Sequence, residues 1–162
     1  MVATGLDLAA ARDLDPAAVA AAYQAWAPGL HRWLAVVLGD VAAAKELVGA
    51  VFADALARLG DFSGPPELLA AWPFAVAMDH LPAELPPTAG QTGNERLDAL
   101  WLLPPGERDV LLLRLVAGLS AAETAVAVGR PGAAVLELVH AGLARLATIM
   151  GGGPTAGMGG GP

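Results

Sequence analysis

The chemistry open to this chain is limited by its three histidines and the absence of cysteine. His31, His80 and His140 lie in three different stretches, without the paired spacing a metal site uses. Without cysteine there are no disulfides, no thiol catalysis and no cysteine-based zinc sites. Asp79 and His80 are neighbours, but adjacent residues on a helix point about 100° apart, which separates acid from base. Asp13 with Asp15, and Glu107 with Asp109, read as solvated or capping carboxylates. Lys45 and Glu46 read as an ordinary exposed pair. Ser120 has a structural role at a helix start and no base at helical reach. The tail GGGPTAGMGGGP lacks both the spacing and the lysine of a phosphate-cradling loop. We therefore expect no enzyme, no catalytic residue, no metal and no cofactor.

The elements that hold these residues read as helices. From Leu103 to Met150 the apolar spacing is helical and broken by turn residues. One helix runs over 107–117 and stops at Gly118. Ser120 and Glu123 have capping-box spacing for a helix ending at Val128. Gly129, Arg130 and Pro131 turn the chain into a last helix over 132–149. Two helices joined by a glycine-containing turn, after a supporting helix, outline a helix-turn-helix unit.

Earlier in the chain, Asp15 and Pro16 cap a helix reaching Leu38, with Pro28 inside it predicting a kink or break. Gly39 and Asp40 separate it from a second helix over 41–59, and a third piece covers 67–81, restricted by Pro73. Segment 82–93, PAELPPTAGQTG, has no apolar periodicity and reads as an extended, mobile linker. The expected architecture is all-α: a flexible 1–14, a helical domain at 15–81, the linker, a helix-turn-helix domain at 94–150 and a disordered tail at 151–162. An apolar content of 56%, mostly Ala, Leu and Val, agrees with small-residue helix packing. The start has no basic region leading into an apolar run, and charge or proline breaks the apolar stretches within about a dozen residues. The expectation is therefore a cytoplasmic protein without a membrane partner.

The 103–150 segment resembles the C-terminal DNA-binding domain of extracytoplasmic-function sigma factors, the small bacterial RNA polymerase initiation subunits. The residues that carry this are Leu103, Pro104, Pro105 and 107–114, then Leu119, Ser120, Glu123, Ala125, Gly129, Pro131, Val135, His140 and Leu146. The first half is similar to the family's N-terminal domain at Tyr23, Pro28, Leu30, Gly39, Asp40, Ala44, Glu46, Leu47, Val48, Val51, Phe52 and Ala55. The resemblance implies RNA polymerase core and promoter DNA as partners, with an anti-sigma protein as regulator. It makes Glu46, Leu47 and Asp54 candidates for the polymerase contact. Lys45, Gly49 and Ala50 depart from the acidic residue, glutamine and glutamate common there.

The DNA surfaces depart further. Where the family's recognition helix presents cations, this chain has Leu136, Glu137, Leu138 and Ala141, and the segment that melts promoters is shortened around 77–82. The net charge of −7 opposes phosphate attraction. Trp72 could stack a base, but its place in an apolar stripe reads as core. Residual DNA contact falls to Arg130, Glu137, His140 and Arg145. Leu136, Leu138, Val139 and Leu143 cover more than one side of the last helix, making them candidates for packing on the first domain or a partner. The sequence reading is a sigma-like transcription regulator working through protein contacts (polymerase, a regulatory protein or a second copy), with weak or absent DNA binding. The alternative is a working, divergent sigma factor.

Overall fold

The computed structural model describes residues 7–86 and 88–151. The expectations for residues 1–6 and for the tail beyond Gly151 lie outside them. Among the described residues every regular element is helical.

A short helix, α1 (Leu8–Arg12), stands where a flexible start is expected. Asp7 caps it by accepting from the Ala10 N–H at 3.0 Å, and Ala11 is fully buried as α1 packs on the next two helices. Helix α2 (Pro16–Leu38) begins where Asp15 accepts from the Ala18 N–H at 3.1 Å. It continues through Pro28 rather than breaking there. Pro28 and Gln24 are both exposed, so the carbonyl that loses its amide partner lies on the solvent side, where water replaces the bond. After Gly39, Asp40 accepts from the Ala43 N–H at 3.0 Å and starts α3 (Val41–Ala57).

These two helices form the main hairpin. Trp26, Leu30, Trp33, Leu34 and Val37 of α2, and Ala44, Val48, Val51 and Ala55 of α3, supply its buried surface. The third helical piece divides into a 3-10 turn over 66–71 and α4 (Trp72–His80). Pro73 is the reason, since it has no N–H to extend an α ladder back to Leu69.

The connector is anchored where an extended, mobile linker is expected. The Thr88 hydroxyl donates to the Leu38 carbonyl at 2.6 Å, and Gly90 is buried against Trp101. The Thr92 N–H and hydroxyl both donate to Asp98 Oδ1, at 2.9 and 2.7 Å. These bonds lower the Asp98 pKa, the backbone N–H contributing most. Beyond the connector come α5 (Glu95–Asp98), a 3-10 turn over 99–102, α6 (Pro105–Leu115), α7 (Ala121–Val128) and α8 (Gly132–Met150).

The second half shares its core with the first. Leu111, Leu112, Leu113, Leu119 and Ala127 belong to the same buried cluster as Trp33, Leu34 and Phe74. Helix α7 packs on the 66–71 turn and on α4. Arg32 of α2 donates from Nε to the Val116 carbonyl at 3.1 Å, a tie across 84 residues.

Candidate functional site

The helix-turn-helix unit is built by local signals. Ser120 Oγ accepts from the Glu123 N–H at 3.1 Å, and the Glu123 carboxylate accepts from the Ser120 N–H at 2.7 Å, closing the capping box of α7. The buried Thr124 hydroxyl donates to the Ser120 carbonyl at 2.8 Å, and Gly129 ends the helix. Replacing Ser120 by alanine removes one half of the box. We expect a loss of about 1 kcal/mol, read as a lower urea midpoint at unchanged m-value.

Helix α8 buries only a narrow strip. Val135 and Gly142 are buried, Gly142 so close to α6 that a β-carbon there would meet Leu111 Cδ1 at 2.8 Å. Leu138 is half-buried and lies beside Gly106 at the start of α6, within its own half. Leu136 is 48% exposed and Leu143 44%. The residues of α8 that face the first half are Val139 and Leu143. They line a cleft of about 990 Å³ whose other walls include Trp26, Gly29, Arg32 and Phe74.

The four residual DNA candidates are not equivalent. Arg130, Glu137 and His140 are exposed around the first turns of α8. Arg145 is instead bound to Glu107 of α6, its Nε lying 3.2 Å from Oε1 and 3.1 Å from Oε2. Glu107 is 7% exposed, which corrects its reading as a solvated or capping carboxylate. The two residues stand 38 positions apart, so no local pattern marks them as a pair. The outer face of the first two turns presents Gly132, Ala133, Leu136, Glu137 and His140, with no Lys or Arg among them.

The polymerase candidates also divide. Glu46 is exposed, while Leu47 is half-buried against the core. Asp54 is held in a charge network that clips the end of α4 onto α3. Its Oδ2 lies 2.9 Å from His80 Nε2 and accepts from Arg58 Nη1 at 3.3 Å. Arg58 also donates to Asp79 at 3.1 Å, and its guanidinium sits over the Trp72 ring at 5.8 Å. Trp72 is half-buried and donates from Nε1 to the Ala55 carbonyl at 2.9 Å, so this indole serves packing rather than base stacking.

The His80 hydrogen bond, followed by Arg58, holds the Asp54 carboxyl below its ordinary range. A carboxyl with a depressed folded-state pKa adds stability above its unfolded value near 4, and that stability is lost as pH falls through the folded value. Asp54→Asn should therefore lower the thermal midpoint at pH 6 and narrow the gap to the parent chain below about pH 4. Melting curves across pH 2.5–7 check this, and a gap that widens on acidification contradicts it.

Among the described residues no three His, Asp or Glu side chains gather as metal ligands. Helix α8 is long and apolar enough to cross a membrane by length and composition, at mean hydropathy 1.5. Glu137 and Arg145 interrupt its apolar run all the same, as the sequence reading expects, with His140 between them. Here α8 packs instead on α6 and α7, with Arg145 tied to Glu107.

No protein-family model matches the chain. A stretch of 49 residues, 30% of the chain, is 49% identical to the extracytoplasmic-function RNA polymerase sigma factor SigD of Mycobacterium tuberculosis and, equally, of Mycobacterium bovis. That stretch spans 23% of the length of those relatives. A chain in the structure of CnrH in complex with the cytosolic domain of CnrY superposes over 91% of this chain and 96% of its own length. The TM-score is 0.74 at 20% identity, a likeness of fold. The chain is similar in sequence to an extracytoplasmic-function sigma factor over that stretch, and in fold to a chain of the CnrH–CnrY structure over most of its length. The two helices of the helix-turn-helix outline are α7 and α8, and the residues named as candidates for a polymerase contact lie on α3.

Proposed function

We propose that this sigma-like chain regulates transcription through protein contacts and has given up most of its DNA contact. The observation that carries the reading is the outer face of α8. Readout by a helix-turn-helix comes from the first turns of the second helix, steadied by phosphate contacts. Here those turns expose Gly132, Ala133, Leu136, Glu137 and His140, and the nearest arginine within α8 is bound to Glu107. None of these five can make the bidentate arginine or lysine contact to guanine. The placement of α7 adds support. The first helix of such a unit normally crosses the DNA backbone, whereas α7 packs on α4 and the 66–71 turn.

A protein partner suits the apolar surface left on α8, whose fully buried residues are Val135 and Gly142 while Leu136 and Leu143 stay exposed. CnrH is held by the cytosolic domain of CnrY, and by analogy of fold a regulatory protein is one candidate partner for this chain. RNA polymerase core is another, with Glu46 on the exposed side of α3. The second reading is a working divergent sigma factor, favoured by the 49% identity to SigD and by the exposed Arg130.

The two readings separate in a duplex titration at low salt, run beside capture of purified RNA polymerase core. The first predicts no binding at micromolar DNA and a retained protein complex. Submicromolar binding that weakens steeply with salt and requires Arg130 would establish the second instead.

A further inference from the structure

Helix α8 carries a stripe at alternating spacings of four and three: Gly132, Leu136, Val139, Leu143, Leu146 and Met150. That is the spacing by which two helices interlock. The stripe runs beside the buried strip of Val135 and Gly142, and about half of Leu136, Leu143 and Met150 stands open to solvent. Val139 and Leu143 border the cleft between the halves, and Leu115, 59% exposed, continues the apolar surface on the wall of that cleft. Glu137 and Arg145 lie off the stripe by helical spacing, so covering it buries no ionised side chain.

The sizes of these residues select what covers them. Turned end for end about Ala141, the midpoint of α8, the stripe matches itself. Gly132 then faces Met150 of the second helix, Leu136 faces Leu146, and Val139 faces Leu143, so no layer is left empty. In a parallel register Gly132 would face its own copy and leave a hole. Space for the Met150 side chain exists, since nothing lies within 4 Å of a β-carbon built on Gly132. Charge agrees with size. The last turn of α8 has no cation of its own, and a reversed second helix brings the exposed Arg130 to those end carbonyls. The exposed apolar surface comes to about 400 Å² per copy, near the apolar share of a half-interface of about 800 Å².

We propose that the chain forms a two-fold dimer in which α8 of one copy lies antiparallel on α8 of the other. This rests on the reading of α8 as a protein-contact surface and names its partner. The second helix fills the space that a DNA groove would need, so dimer and duplex exclude each other.

Sedimentation equilibrium of the intact chain tests this in 0.15 M salt, which screens the net charge of −7. We expect a monomer–dimer equilibrium with a Kd on the order of 10 µM. Leu136→Glu, at an exposed position, should raise that Kd at least about thirty-fold without lowering the melting temperature, while Val41→Glu, exposed on α3, should leave it within about two-fold. Orientation is read with cysteines, of which the chain has none. Oxidising a mixture of Gly132→Cys and Met150→Cys chains should link one to the other faster than either links to itself. The pairing is overturned by a dimer indifferent to Leu136→Glu, by Met150→Cys chains that link fastest to themselves, or by a chain that stays monomeric at about 200 µM. A monomer that also ignores duplex DNA sinks the pairing alone, whereas a monomer that binds duplex tightly sinks the protein-contact reading with it.

Discussion

Gly90→Ala should destabilise the chain by about 3 kcal/mol, which makes it one of the costliest single-methyl additions available. A β-carbon at Gly90 would lie 2.5 Å from the Trp101 ring, and the backbone there has φ +74°, a conformation L-residues rarely adopt. Gly39 is the companion site. Its φ is +63°, and an added β-carbon would fall 1.7 Å from the Thr88 carbonyl oxygen. Neither obstacle is the end of a flexible side chain. One is an indole ring lodged between the halves, and the other is the backbone of the connector. Both substitutions would therefore lift the connector off the α2 end or off Trp101. Gly49→Ala is the contrast, because nothing lies within 4 Å of its added carbon and it sits inside α3. That change should stabilise by up to about 1 kcal/mol through helix propensity alone. Urea unfolding of the three variants checks the ordering. A Gly90→Ala chain as stable as the parent would mean that the connector is not held in place by Trp101.

What could be read without the fold was mostly what is local. Asp15, Asp40, Ser120 and Glu123 announce helix starts because a capping side chain reaches only two or three residues along the backbone. The apolar stripes of α2 and α3 could be read for a similar reason, since their period reflects a single buried face. Pro28 was harder to read, because whether it breaks a helix depends on what surrounds it, and on the exposed side of α2 the missing hydrogen bond costs little. The connector misled for a different reason. Its Pro and Gly content rules out a helix but carries no information about docking, which depends on Leu38, Trp101 and Asp98 elsewhere in the chain. The candidate surface on α8 was legible as an excess of leucine. Its division between Leu138 on α6, Val139 and Leu143 on the cleft, and Leu136 toward solvent required the helix to be placed. Arg145 had no local signal at all, since its partner lies on another helix.

That partner sets the second large expectation. Arg145→Ala should cost about 2–3 kcal/mol, while Arg130→Ala should stay within about 0.5 kcal/mol of the parent. On a recognition helix of ordinary type the two arginines would both serve DNA, and their loss would be read in affinity rather than stability. Here Arg145 is the ion-pair partner of Glu107, a carboxylate only 7% exposed. Removing the cation leaves that charge nearly buried and unpaired, and the penalty of a stranded charge exceeds the net worth of the pair. Because the Arg145 side chain is itself 61% exposed, water relieves part of the penalty, and the expected loss falls below the 3–5 kcal/mol typical of fully buried pairs. Glu107→Gln combined with Arg145→Ala removes the stranded charge and should recover more than half of the loss. A double-mutant cycle in urea measures this directly. Duplex titrations of the same variants complete the argument. If Arg145 is structural, its alanine variant loses stability with no change in an already negligible affinity for DNA. If its main effect is instead a salt-dependent fall in duplex binding at unchanged stability, then α8 still reads promoters and the protein-contact reading fails.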